Sequence, residues 1–139
     1  MRDKIVQVAK TWIDTPFHHN QRVKYHGVDC INLIIGIGQE LGICGHVPSN
    51  ILSYGQRPNP RHLIDGLELF FDRIHLADVK KGDFCAVSWR KNLPMHVAMY
   101  IGDNQIIHTS QSSKKVIQVY WDNNFLTKIH SWWCFKGVV

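Results

Sequence analysis

Apolar positions along the chain fall into two regimes. Up to about residue 77 they recur at helical spacing; from residue 84 they gather into short β-branched and aromatic runs. In KIVQVAKTWI, residues 4–13, Ile5, Val8, Trp12 and Ile13 share one helical face, and Asp14-Thr15-Pro16 then stops the helix. Residues 14–28 are polar and His-rich and read as loop. A second helix is predicted from Asp29 to about Glu40, closed by Leu41-Gly42. Ile31, Leu33, Ile34, Ile35 and Ile37 make it apolar nearly all round, which places it at the centre of the domain. Prolines and glycines mark residues 45–60 as loop. In RHLIDGLELFFDRIHLA, residues 61–77, Leu63, Leu67, Phe70 and Ile74 predict a third helix. After KKGD the runs FCAVSW, HVAMYIG, QIIHTS, VIQVYW and WWCFKGVV, separated by turn residues, predict five strands. Helices followed by consecutive strands is the order of an α+β domain with an antiparallel sheet.

Composition narrows the picture without naming a chemistry. The 139 residues suit one domain, 1–139, with a single core. The net charge of +5 comes from scattered pairs, Lys80-Lys81, Arg90-Lys91 and Lys114-Lys115. That distribution fits contact with an anionic polymer. It does not single out nucleic acid, because no basic run carries interleaved aromatics. The cysteines at 30, 44, 85 and 134 form no Cys-x-x-Cys pair, so neither a zinc cage nor a disulfide framework is expected. His18, His19 and His26 cluster without a His-Glu-x-x-His or thiolate partner, so no metal or other cofactor is expected. The start, MRDKIVQVAKTWIDTPF, is amphipathic rather than a secretory leader, and CINLIIGIG is too short to span a membrane. The protein is therefore expected to be made in the cytoplasm without a signal peptide.

Candidate chemistry begins at HGVDCINLI, residues 26–34. Cys30 opens the central helix, where the positive end of the helix dipole lowers a thiol's pKa. A three-residue Gly102-Asp103-Asn104 loop would pair Ile101 with Gln105 and Ala98 with His108. His96, Ala98, Tyr100, Ile106 and His108 then share one sheet face, with His96 and His108 as diagonal neighbours. A two-residue loop shifts the register by one and separates the histidines. In the paired register one imidazole can take the thiol proton and the other can fix its tautomer, a papain-like arrangement.

The ordered set TWIDTPFHH, GVDCINLI, KKGDFCAV and HVAMYIGDNQIIHTS resembles the NlpC-type cysteine peptidases of bacterial cell walls. The resemblance implies a papain-like fold with the catalytic helix packed on an antiparallel sheet. It implies Cys30 as nucleophile, His96 as general base and His108 as orienter, without metal or cofactor. The implied substrate is the peptidoglycan stem peptide, cut after γ-D-glutamate and before a diamino acid. VPSNILSYGQRPNPRHLIDGLELFF and WWCFKGVV look like the branch carried by phage tails and gene-transfer particles, so tail proteins become expected partners and the cell wall the place of action.

Departures from the family pattern define what must be checked. Asp14 replaces a glycine of Trp-Ile-Gly-Thr-Pro, and Asn32 stands where Asp-Cys-Ser-Gly has glycine. Phe17 replaces a tyrosine whose hydroxyl supports the oxyanion; losing one such donor costs ~3 kcal/mol of transition-state stabilisation in other enzymes. His19 or the Cys30 N–H is expected to cover part of that loss. Asp29 either contacts the substrate amine or caps the helix, and Tyr54 either borders the cleft or packs within its loop. Two other readings compete with hydrolysis: a binding module that keeps the pocket without turnover, and acyl transfer on lipids or amides. The polar loop 18–26 argues against the latter.

Overall fold

Two helices with apolar faces must bury them against each other, and in this chain they do so through a glycine. The computed structural model describes residues 1–50, 62–90 and 93–139. Helix α1 (Arg2–Thr11) buries Ile5 and Ala9, and Trp12 at its C-cap also enters the core. Helix α2 (Cys30–Glu40) is buried continuously from Cys30 to Gly38, as its unbroken apolar girth predicts. A side-chain carbon at Gly36 of α2 would lie 2.6 Å from the Trp12 ring, so glycine is what lets that ring lie against α2. The C-terminus closes as expected: Leu41 is the cap and Gly42 takes φ +70.

Between α1 and α2 the segment expected to be loop carries a small antiparallel hairpin, β1 (Arg22–Val23) with β2 (Gly27–Val28). Strands of two residues carry too little alternation to be visible in sequence. Helix α3 (His62–Phe70) is shorter than its periodicity predicts. Phe71–Ile74 instead form strand β3, paired antiparallel with the last strand, Phe71 to Phe135 and Ile74 to Trp132. Tertiary pairing overrides local propensity there, because that strand offers an open edge.

The main sheet therefore has six strands, not five. It runs in the order β3-β8-β4-β5-β6-β7, with β4 (Phe84–Val87), β5 (His96–Gly102), β6 (Gln105–Ser110), β7 (Lys115–Tyr120) and β8 (Ile129–Phe135). A short helix that the periodicity did not predict, α4 (Asn123–Lys128), precedes β8. One sheet face carries Phe84, Ala86, Val97, Met99, Ile107 and Trp133 against the first three helices. The opposite face carries Cys85, Val87, Ala98, Ile106 and Trp132, covered by Phe125 of α4 and flanked by Tyr100 and Trp121. Side-chain alternation fixes this division. The late aromatic residues serve as packing: Tyr100 stacks on Trp121 at 4.9 Å, and Trp132 meets both edge-on.

Candidate active site

The start of α2 is held in place by its own cap. Asp29 Oδ1 accepts the N–H of Asn32 at 2.9 Å, and Oδ2 accepts the N–H of Asn20 at 2.8 Å. One buried carboxylate thus ends the helix and pins the preceding loop, with both oxygens occupied by backbone. Cys30 follows as the first helical residue. Its thiol donates to the carbonyl of Met95 at 4.0 Å, and the N–H of Val97 lies near enough to the sulfur to favour its ionised form.

The reason lies in the sheet. Strands β5 and β6 pair at Gly102–Gln105, Tyr100–Ile106 and Met99–Ile107, and their register goes no further toward the start of β5. Val97 lies beyond that last pair, and its N–H turns to the sulfur, so Cys30 abuts the backbone on both sides of His96.

The β5–β6 turn is tighter than the three-residue loop expected. Asp103 and Asn104, at φ 54 and 60, close it in two residues, the left-handed pair that Asp and Asn tolerate. A bulge between Tyr100 and Gly102 takes up the additional residue, so Tyr100 still faces Ile106. The two-residue turn consequently does not separate the histidines. His96 Nε2 and His108 Nδ1 lie 2.7 Å apart with the rings nearly perpendicular. His96 Nδ1 is left as the ring nitrogen open to another partner. No hydrogen bond joins the sulfur to the His96 ring, both residues being among those described.

Electrostatics at the sulfur run opposite to the helix-dipole expectation. Burial, with the nearby Asp29 charge, pushes the Cys30 thiol up to about 12, against the smaller lowering from the N–H groups. Burial also lowers both imidazoles, and His108 lowers His96 further. At neutral pH Cys30 is therefore a thiol and both imidazoles are neutral.

The remaining sequence candidates are distributed around this centre. Phe17 bridges to Val28, next to Asp29, and is partly buried. His19 is exposed and close enough to Asp29 for its charge to lower that carboxyl, whose pKa burial nevertheless raises. Tyr54 lies outside the described residues. Asn32 fits on α2 by accepting Arg22 Nε and Nη2 at 2.9 and 2.7 Å and donating to the Ser49 carbonyl at 2.9 Å. Sequence reasoning missed Trp89, whose ring centroid lies 5.8 Å from that of His96. A single aromatic after a strand carries no pattern that would have marked it. Among the described residues no cluster of three or more His, Cys, Asp or Glu is placed to hold a metal ion.

Comparison with known proteins agrees with this architecture. No curated protein matches the chain by sequence. An NlpC/P60 family protein from Bacillus cereus superposes with a TM-score of 0.68 at 20% identity, over 95% of this chain and 39% of that one. The peptidoglycan hydrolase RipB from Mycobacterium tuberculosis gives 0.61 at 15%, over 96% of this chain and 63% of its own. RipD from the same organism, a non-catalytic NlpC/p60 domain protein adapted to peptidoglycan binding, gives 0.61 at 13%, over 96% and 95%. This chain thus spans well under half of the Bacillus protein. The sequence model of the NlpC/P60 family matches residues 15–132, from the loop before Cys30 to the last strand, and the chain belongs to the NlpC/P60 family.

Proposed function

We propose that the chain is a cysteine peptidase of peptidoglycan stem peptides, with Cys30 as nucleophile, His96 as general base and His108 as orienter. The observation that carries this reading is the 2.7 Å His96–His108 contact at the point where the Cys30 sulfur meets the backbone of residues 95–97. With His96 Nε2–H donating to His108 Nδ1, His96 Nδ1 is unprotonated and can accept a proton. Because the resting sulfur is a thiol, proton transfer to His96 accompanies attack on the peptide carbonyl carbon. The Cys30 N–H at the helix start, or His19, supplies the donor to the developing oxyanion in place of the hydroxyl that Phe17 lacks. The leaving amine takes the proton back from His96, and water then releases the acyl group from sulfur.

The finer parts of this reading are a γ-D-glutamyl–diamino acid bond as target, and Phe17, His19, Asp29 and Tyr54 as the substrate wall. The target bond, Phe17 and delivery to the wall by a phage tail or gene-transfer particle rest on the sequence resemblance, whereas His19, Asp29 and Tyr54 rest on their loop positions before and after α2. Family membership supports the wall peptide as substrate class. Mass spectrometry of defined stem peptides tests the proposal: wild type is expected to yield two fragments and Cys30→Ala none. Equal cleavage by both would end it.

One observation favours a second reading, a peptidoglycan-binding module without turnover. Phe17 offers no hydroxyl, and RipD shows that this fold supports binding without catalysis. Retention of stem peptides with no fragment from wild type would select it.

A further inference from the structure

Trp89 is half exposed, whereas the imidazole beside it, that of His96, is buried. The indole lies tilted by 31° against that imidazole at 5.8 Å and meets Phe125 of α4 edge-on at 6.1 Å. Its backbone is fixed by its neighbour Ser88, whose N–H donates to the Lys128 carbonyl at 2.8 Å. Its inner surface rests on the histidine and the phenylalanine while its outer surface faces solvent.

We propose that Trp89 is a positioning residue for His96: it roofs the imidazole, keeps water from its face, and holds the ring in the orientation that meets His108. This deepens the reading of the same site as a peptidase and rests on that reading only for its kinetic consequence. The groups around His96 leave the ring cover as the variable element. Among the described residues, His108 of β6 is the titratable side chain bonded to it and the one whose charge bears on it. Cys30 of α2 reaches the adjoining backbone with Asp29 behind it. Val87 of β4, paired with His96, and Phe125 of α4 do not titrate. Removing the indole opens one face of the imidazole to water, which favours the imidazolium and raises the pH at which the ring charges.

The test is an NMR titration of the His96 C2–H in the full chain, the signal being assigned by its loss in His96→Gln. Trp89→Ala is expected to raise the midpoint by about one pH unit, and Trp89→Phe to stay close to wild type. The acid limb of the kcat/KM profile on stem peptides is expected to move with it. An unchanged midpoint in Trp89→Ala, or an equal shift in Trp89→Phe, overturns the proposal. So does a lower Tm with no change of midpoint, the signature of a purely structural ring. Should Trp89→Ala fail to fold, Trp89→Leu replaces it under the same criteria. The titration uses no substrate, so absence of hydrolysis would count against the peptidase reading alone.

Discussion

His108 is the residue on which the proposed chemistry most depends after the nucleophile, because it occupies one nitrogen of His96 and thereby decides which nitrogen is free. His108→Ala is expected to lower kcat/KM on stem peptides by ~10²-fold or more, and His108→Gln, whose carbonyl can still accept from Nε2–H, to recover part of that. Equal activity of wild type and His108→Ala would remove the orienter from the scheme. The titrating groups also set a pH window for stability. His96 and His108 charge less readily folded than unfolded, so their contribution is complete above the ordinary value of 6.5 and is lost as pH falls below it. The Cys30 thiol ionises less readily folded than unfolded, so its contribution is lost as pH rises above the ordinary 9.0. Melting temperature is expected to peak between those limits, and its acid-side fall to be shallower in a His96→Gln, His108→Gln double variant. An identical acid-side slope would contradict the burial argument.

At the scale of elements, α2 can present the proposed nucleophile only because its neighbours let it lie deep in the fold. Gly36 faces the Trp12 ring at a distance no side-chain carbon can occupy. Gly36→Ala is expected to cost about 1–3 kcal/mol in chemical denaturation, through displacement of Trp12 rather than through helix propensity, which favours alanine. A neutral or stabilising result would show that the Trp12–α2 contact is slack. The β5–β6 hairpin shows how little of a local detail must be right for the site to be legible. A three-residue loop and a two-residue turn with a bulge add the same extra residue, so both leave the histidines on one face. Alternation survived where turn type did not, because burial of Ala98 and Ile106 pins the face whereas φ > 0 at Asp103 and Asn104 decides only how the chain reverses.

Across the whole molecule, what the sequence disclosed was what period and order encode: α2 as the central helix, strands from Phe84 onward, Cys30 at a helix start, His96 and His108 together. What it withheld depends on contacts made only in three dimensions. Phe71–Ile74 read as helix until an open edge of β8 paired with them. The Cys30 thiol looked acidified by its helix, but no sequence pattern reveals that it is buried between α2 and the start of β5. Trp89 was invisible because a roof over an imidazole has no spacing. The central claim, that this buried sulfur attacks a wall peptide carbonyl with the help of the histidine pair, is tested most directly by the intact mass of the protein quenched in acid during turnover of a stem peptide. The account predicts an acyl adduct on the peptide containing Cys30, present in wild type and absent in Cys30→Ala. Release of peptide fragments by wild type with the adduct on Cys44, Cys85 or Cys134, or with cleavage persisting in Cys30→Ala, would contradict it.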